Sequence, residues 1–297
     1  MSPDVSRSVP GSSGQAPLGQ ALPEALLREL EDLAVSAARA AGRFIVEDRP
    51  RGLGVVETKS SVNDIVTVMD QQSEALLRRH LLDARPADAI LGEEDGASEG
   101  TSGITWVIDP IDGTVNYLYE IPAYCVSVAA VIGDAATTGA WRPVAGAICN
   151  PLTAETFHSR LGGGAHVLTA DGDKVIRVNA IDVLLQSLVA TGFGYLPGVR
   201  ARQGEVVAAI LPEIRDIRRA GSAALDLCAV ACGTVDAYYE SGLNPWDLAA
   251  GWIIATEAGA LVTGLNNMAP GQAAAVAAGP GIHAALLSRL ESLAPLR

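Results

Sequence analysis

The stretch WVIDPIDGTVNY, residues 106–117, begins like a buried strand and ends on a glycine-threonine turn. It places two carboxylates, Asp109 and Asp112, at the end of the apolar run, where like charges repel each other. No Lys or Arg lies within several residues of either aspartate, so the local sequence offers no ion-pair partner. A desolvated carboxylate must be paired, protonated or bound to a metal. By itself, the stretch fits a turn in which Asp112 or Thr114 caps a helix at least as well as a site for a divalent cation.

Three more carboxylates stand at the ends of apolar runs. Glu93 and Glu94 close ILGEED, residues 90–95, and Asp247 opens the apolar segment of NPWDLAAGWII, residues 244–254. Taken singly, the glutamates fit a solvated strand end, and the aspartate fits a helix N-cap. Together with Asp109 and Asp112 they favour a Mg²⁺ site, because hard divalent cations take oxygen ligands.

The turn itself suits a phosphate beside bound cations. Pro110 stiffens the backbone between the two aspartates, and Gly113 allows a tight turn. The amides of Gly113 and Thr114 would then open a short helix over VNYLY, residues 115–119, and a helix N-terminus attracts anions.

Composition excludes several classes of function. The 297 residues are 49% apolar and 19% charged, which predicts a substantial packed core. A formal charge of -13 argues against a passive electrostatic grip on nucleic acid or on an anionic membrane. The four cysteines form no CxxC pair, and no stretch holds eighteen unbroken apolar residues, so we expect a cytoplasmic protein.

The order of segments predicts a layered fold. Residues 1–21 are turn-rich and predict a flexible lead-in. Residues 22–180 predict an α+β half, and residues 181–297 predict an α/β half. The expected helices cover 23–49 and 70–82, and strand-like segments occupy 88–95, 104–109, 123–132, 143–151, 156–168 and 173–178. Strand-like and helix-like segments then alternate over 188–195, 216–233, 237–241 and 247–263.

Four motifs, which occur together and in the family's order along the chain, resemble those of one family. WVIDPIDGTVNY, ILGEED, KSSVNDIVTVMD (residues 59–70) and YYESGLNPWDLAAGWIIATEAG (residues 238–259) are similar to those of the inositol monophosphatases, which are Mg²⁺-dependent and lithium-sensitive. The resemblance runs from about Leu26 to Leu290 and is closest to bacterial inositol-1-monophosphatases. It implies the αβαβα sugar-phosphatase fold, a homodimer, two to three Mg²⁺ ions per site and hydrolysis of myo-inositol monophosphates.

The resemblance also implies a role for each matching residue. Glu93 corresponds to a metal ligand, Asp109 to the carboxylate that bridges two metals, and the Ile111 carbonyl to a ligand of the first metal. Asp112 and Asp247 correspond to ligands of the second metal.

The implied catalytic residues are Asp70, Thr114, Glu93 and Lys59. Thr114 and Asp70 resemble the couple that orients and deprotonates the attacking water. Lys59 matches the basic residue of a mobile hairpin, with Asp64 behind it, and Glu94 lies beside the metal ligand Glu93.

For the substrate, the resemblance points to a small phosphate monoester. Glu240 corresponds to the carboxylate that accepts hydrogen bonds from inositol hydroxyls, although its sequence context alone fits a surface glutamate at a strand end. The implied substrate contacts are Gly113, Thr114, Gly221, Ser222, Ala223, Glu240 and Asp247.

Other interpretations of the sequence remain. DGDKV, residues 171–175, imitates the motif of aspartyl-phosphate phosphatases, but Asp-Gly between two apolar runs favours a β-hairpin. The four histidines form no H-x-H or H-E-x-x-H cluster, which argues against zinc. Histidinol-phosphate phosphatase, fructose-1,6-bisphosphatase and 3′-phosphoadenosine phosphatase have the same metal core, and a non-catalytic scaffold is the alternative from another class.

Overall fold

The computed structural model describes residues 21–55, 57–59 and 65–296, so nearly all of the expected lead-in lies outside the described residues. Glu57 and Ile65 are described by their backbone alone. The α-helices of the described residues are α1 (Glu24–Glu47), α2 (Val68–Ala84), α3 (Thr114–Leu118), α4 (Pro197–Ile210), α5 (Ala223–Ala231), α6 (Pro245–Glu257) and α7 (Pro280–Ser292).

The strands fall into two halves of the chain. The first ten are β1 (Glu57–Thr58), β2 (Ile65–Val66), β3 (Ala89–Gly92), β4 (Ala97–Ser98), β5 (Ile104–Asp112), β6 (Cys125–Gly133), β7 (Trp141–Asn150), β8 (Glu155–Arg160), β9 (Gly164–Thr169) and β10 (Gly172–Ile176). The last five are β11 (Leu188–Thr191), β12 (Asp216–Arg218), β13 (Ala237–Glu240), β14 (Leu261–Thr263) and β15 (Ala275–Ala278).

Within the described residues, these strands build two large sheets and one small hairpin. The first sheet has the order β10-β9-β8-β7-β6-β5-β3-β4, and the second has the order β12-β11-β13-β15-β14. In the second sheet, β11 runs parallel to both β12 and β13. Strands β1 and β2 pair with each other as an antiparallel hairpin.

The helices cover the sheets in layers. Apolar residues of α1 and α2 pack on one face of the first sheet, and those of α5 and α6 fill the space between its other face and the second sheet. Helices α4 and α7 cover the outer face of the second sheet. This arrangement confirms the predicted αβαβα layering.

Strand β5 shows why both faces of the first sheet are apolar. Successive side chains of a strand point to opposite faces. Accordingly, Trp106 and Ile108 enter the core beneath α1 and α2, whereas Val107 enters the core shared with α5 and α6. An apolar run without polar alternation therefore fits a strand that is covered on both sides.

Most predicted elements are confirmed, with shifted ends. Helix α2 covers the predicted 70–82 segment, and β9 and β10 form the expected hairpin, with Ala170 and Asp171 in the turn between Thr169 and Gly172. Asp247 is not the N-cap of its helix. Asn244 holds that position, and Asp247 is the third helical residue, which completes a capping box. The predicted halves 22–180 and 181–297 stay predictions of domain organisation.

Candidate active site

Two aspartates of the quoted motif and one from the second half of the chain meet at one end of the first sheet. The carboxylate oxygens of Asp109, Asp112 and Asp247 lie within 4.8 Å of one another; we call these residues the aspartate triad. Asp109 and Asp112 sit on either side of an irregularity in the pairing of β5 with β6. That irregularity brings both side chains to the same place, although a regular strand would point residues three apart to opposite faces.

Main-chain hydrogen bonds fix each member of the triad. Asp109 Oδ1 accepts the N–H of Ile111 at 3.0 Å, and Asp247 Oδ2 accepts the N–H of Asn244 at 2.7 Å. Asp112 Oδ2 accepts the N–H of Ala224 at 2.8 Å and the Ser222 hydroxyl at 2.5 Å. Since Ser222 is the N-cap of α5, these bonds join the end of β5 to the second half of the chain.

The triad carries strong electrostatic repulsion. Burial raises the pKa of Asp109 well above its usual value, and the charges of Glu93 and the other triad members raise it further. Burial likewise raises the pKa of Asp112 and of Asp247, despite the hydrogen bonds that favour their charged forms. Within the described part of the chain, no ion pair involves a triad member. An all-oxygen group of buried carboxylates without ion-pair partners fits a hard divalent cation such as Mg²⁺.

Glu93 lies next to Asp109 but outside the triad, and it shares the Lys59 cation with Glu94. Lys59 Nζ donates to Glu93 Oε1 at 2.7 Å and to Glu94 Oε1 at 2.8 Å. Burial lowers the pKa of Lys59, but the two carboxylates outweigh this effect and hold it above its usual value. Lys59 directly follows β1 of the β1–β2 hairpin, whereas Asp64 lies outside the described residues. The mobility of that hairpin stays a prediction.

Thr114 and Asp70 are hydrogen-bonded to each other, as the family resemblance implied. Thr114 Oγ1 lies 3.0 Å from Asp70 Oδ1 and 3.0 Å from the Ile111 carbonyl oxygen. Asp70 Oδ2 in turn accepts the N–H of Thr67 at 2.8 Å and the Thr67 hydroxyl at 2.5 Å, in the capping box of α2. Burial raises the pKa of Asp70 to about 6. Its carboxylate is therefore mostly ionised at neutral pH and held by three donors.

A tight turn brings Gly113 against the second half of the chain. Its backbone φ of +95° is an angle that residues other than glycine rarely adopt. A Cβ at this position would also lie 2.9 Å from the Ala123 carbonyl oxygen and 3.2 Å from the Gly221 carbonyl oxygen. Asn116 completes this junction by donating to the carbonyl oxygens of Ala123 and Ala220.

One cleft of about 1190 Å³ joins these groups to the expected substrate residues. Glu240 lies at the end of β13 and accepts the hydroxyl of Tyr238 at 2.8 Å. Burial raises the pKa of Glu240 to about 7. Of the predicted site residues, those that line the cleft are Lys59, Glu93, Asp109, Ile111, Asp112, Gly113, Thr114, Gly221, Ser222, Ala223, Glu240 and Asp247. Asp70 lies behind Thr114.

The sequence alone did not predict every group in the cleft. Phe193 follows β11, and the guanidinium groups of Arg200 and Arg219 each lie 6.0 Å from its ring centroid. All three line the cleft. Phe193 belongs to the glycine-rich segment ATGFGY, residues 190–195. Its place after a parallel strand was the available signal, because ligands bind at the carboxyl ends of such strands.

Comparison with known proteins agrees with this geometry. Residues 26–294 match the model of the inositol monophosphatase family. The chain is 45% identical to an inositol-1-monophosphatase of Mycobacterium leprae, and the match covers 92% of this chain and 97% of the relative. The chain belongs to the inositol monophosphatase family. It is accordingly a phosphatase whose aspartate triad could hold a metal ion.

Two further relatives extend the comparison. The solved structure of Mycobacterium tuberculosis SuhB superimposes with a TM-score of 0.74 at 42% identity, covering 93% of this chain and 99% of that one. A Vibrio cholerae protein named Nus factor SuhB is 36% identical, over 78% of this chain and 84% of the relative. No helix within the described residues is long and apolar enough to cross a membrane.

Proposed function

We propose that this protein hydrolyses myo-inositol monophosphates to inositol and phosphate in a Mg²⁺-dependent reaction. The observation that carries the proposal is one cleft lined by the aspartate triad, Thr114 and Glu240, with Asp70 hydrogen-bonded to Thr114 from behind. Phosphate monoester hydrolysis requires a positioned water and neutralisation of phosphate charge. The cleft provides groups suited to both requirements and a carboxylate suited to a polyol.

The proposed cofactor site consists of Glu93, Asp109, Asp112, Asp247 and the Ile111 carbonyl. Two to three Mg²⁺ ions held there would neutralise phosphoryl charge and acidify the attacking water. Lys59 faces the same region and pairs with Glu93 and Glu94. It adds a positive charge beside these carboxylates.

The proposed proton acceptor is the Thr114–Asp70 pair. Asp70 Oδ1 orients the Thr114 hydroxyl as a donor, which leaves Thr114 Oγ1 free to accept a proton from the attacking water. As that proton arrives, the original Thr114 proton passes to Asp70 Oδ1. The three donors that hold Asp70 keep its carboxylate in place for this transfer.

Glu240 is the proposed contact for the alcohol part of the substrate. Its carboxylate can accept hydrogen bonds from two adjacent hydroxyls, which favours a polyol phosphate. Gly221, Ser222 and Ala223 line the same part of the cleft, where α5 begins.

A substrate panel tests this assignment. Inositol-1-phosphate, fructose-1,6-bisphosphate, histidinol phosphate and 3′-phosphoadenosine 5′-phosphate would be compared by kcat/KM in millimolar Mg²⁺. We expect the highest value for inositol-1-phosphate. A higher value for another member would overturn the inositol assignment, and no phosphate release from any of them would leave the scaffold alternative.

The variant Glu240→Gln tests the polyol contact. Loss of a charged acceptor costs about 1.5–3 kcal/mol, so kcat/KM for inositol-1-phosphate should fall about 10- to 100-fold. Activity on p-nitrophenyl phosphate, which has no hydroxyls for Glu240 to bind, should change much less. The control is Glu205→Gln, an exposed position on α4 that pairs with Arg202. Equal losses on both substrates would contradict the proposed contact.

The proposal extends to assembly, inhibition and location. We expect a homodimer, inhibition by Li⁺ and a cytoplasmic location, and the four free cysteines support a reducing compartment. Light scattering coupled to size-exclusion chromatography measures the dimer, and phosphate release in a LiCl series measures the inhibition.

A further inference from the structure

Glu74 is a fully buried carboxylate that is not part of the proposed reaction. It lies on α2, one turn after Asp70, and its relative exposure is 0%. Positions i and i+4 of a helix share a face, so both residues point towards the end of the first sheet. Burying a carboxylate costs free energy unless hydrogen-bond donors surround it. The donors around Glu74 therefore show which part of the chain it binds.

Two of these donors are consecutive amides of the loop that carries Glu93. Glu74 Oε2 accepts the N–H of Glu94 at 2.8 Å, and Oε1 accepts the N–H of Asp95 at 2.9 Å. Arg78 Nε also donates to Oε1, at 2.9 Å, and another nitrogen of the Arg78 guanidinium donates to the Gly96 carbonyl oxygen. The Glu74–Arg78 pair therefore holds the loop between β3 and β4 at three successive residues.

The same carboxylate also contacts the residue before Glu93. A Cβ added to Gly92 would lie 2.3 to 2.7 Å from the atoms of the Glu74 carboxylate. Glu93 is thus enclosed between Gly92, which packs on Glu74, and Glu94, whose amide binds it. The main chain of Glu93 cannot shift without disturbing one of these contacts.

A side chain with two acceptor oxygens matches this set of donors. The three N–H groups from Glu94, Asp95 and Arg78 require two acceptor oxygens. A glutamine would offer one acceptor oxygen and direct its NH₂ group at a further donor. Burial raises the pKa of the Glu94 carboxyl, and the negative charges of Glu93 and Glu74 raise it further. Despite the repulsion between Glu74 and Glu94, a carboxylate suits this position, because a neutral residue would leave the loop incompletely bound.

We infer that Glu74 is a positioning residue for metal binding: through the loop amides it fixes the Glu93 carboxylate at the aspartate triad. The inference rests on the proposed metal role of Glu93. Residues that orient a metal ligand typically contribute 10- to 100-fold to metal affinity.

Binding of Mn²⁺ to the purified protein, measured from the free-ion EPR signal, tests the inference. We expect Glu74→Gln to weaken Mn²⁺ binding at least tenfold. At saturating Mn²⁺, kcat should recover to near the wild-type value with KM unchanged. Glu93→Gln, which removes the ligand itself, should keep a low kcat at every Mn²⁺ concentration.

Asp88→Asn is the matched control for loss of a buried carboxylate. Asp88 directly precedes β3, at the opposite end from Glu93, and there it pairs with Arg85 and accepts the Trp106 indole N–H. Its substitution should lower the melting temperature while leaving Mn²⁺ affinity within twofold of wild type.

The outcomes separate this inference from the proposed function. If the Mn²⁺ affinity of Glu74→Gln stays within twofold of the wild-type value, the inference is overturned. It is also overturned if Glu74→Gln and Asp88→Asn lose Mn²⁺ affinity equally. Absence of Mn²⁺ binding by wild type would overturn the proposed function instead. If Glu74→Gln does not fold, Gly92→Ala crowds the same carboxylate from the loop side and carries the same expectation, and wild-type affinity there would overturn the inference.

Discussion

Two acidic groups of this protein differ in how their charge is balanced. In the aspartate triad, carboxylates face one another, and no ion pair to them occurs among the residues that the structure describes. The second group lies between α1 and strands β8 to β10. There Glu31 accepts from His158 at 2.8 Å and from Arg160 at 2.6 Å, and Asp173 lies 3.2 Å from His158 and from His166.

The pKa shifts of the two groups have opposite directions. Burial raises the pKa of Glu31, but hydrogen bonds from His158 and Arg160 outweigh burial and lower it overall. At Asp109, burial and neighbouring carboxylates act together to raise the pKa. The second group therefore stabilises the fold as it stands, whereas the triad is costly until a cation binds. A site that must attract a ligand keeps its charge unbalanced.

Removing one charge from the triad should have the largest effect. We expect Asp109→Asn to lower kcat/KM on the order of a thousandfold or more, because metal binding supplies several kcal/mol to the transition state. The melting temperature without metal should not fall, since the substitution also removes repulsion. The control is Asp171→Asn at the exposed β9–β10 turn, which should keep full activity. Turnover retained by Asp109→Asn would remove Asp109 from the metal site.

Metal addition should distinguish the two groups next. A ligand at one hundred times its Kd stabilises a protein by about 2.7 kcal/mol, which for a chain of this size corresponds to roughly 4 °C in melting temperature. We expect Mg²⁺ to produce such a shift in wild type and a much smaller one in Asp109→Asn. Calorimetry in EDTA and in Mg²⁺ measures both values. A wild-type melting temperature that does not respond to Mg²⁺ would falsify the claim of a strained triad.

Substitution in the second group should have a smaller effect, a loss of stability that does not depend on metal. We expect His158→Gln to lower the free energy of unfolding by about 1–3 kcal/mol, equally in EDTA and in Mg²⁺, because it breaks hydrogen bonds to charged groups. Urea unfolding measures this loss. The control Lys174→Gln removes an exposed pair with Asp171 and should change stability by less than about 0.5 kcal/mol.

The loss caused by His158→Gln should also depend on pH. Burial lowers the pKa of His158, but Glu31 and Asp173 outweigh it and raise the pKa above the usual value. A group with a raised folded pKa contributes its full stability below the unfolded pKa, about 6.5 for histidine, and loses it as pH rises through the folded value. The difference between wild type and variant should therefore be largest near pH 5.5 and smaller at pH 9. A difference that grows with pH would contradict this account.

The elements nearest the quoted motif were the most predictable. The apolar run of β5 and its turn could be predicted from the sequence, because a strand covered on both faces needs an unbroken apolar sequence. Helix α2 could be predicted from the spacing of its apolar residues. The role of Glu74 could not be predicted, since in DQQSEALLRRHLL, residues 70–82, it resembles any other polar helical residue. Its importance depends on the loop packed against it, which comes from residues 92–96.

The second half of the cleft was predictable only in part. Glu240 came from the family resemblance, whereas Phe193 and Arg200 had no motif to mark them. Their place follows from the direction of β11 and the start of α4, and both depend on how the second sheet packs. No expectation covered α4 or α7.

The sequence by itself determined which residues could carry the chemistry. It placed carboxylates at the ends of apolar runs, where burial is enforced by their neighbours and charge cannot be solvated. Only the tertiary structure decided which of them meet. Asp247 reaches Asp109 because α6 packs between the two sheets, and Asp112 is held by the first turn of α5. Local sequence sets burial and turn geometry, but the distance between remote side chains is set by packing of the layers.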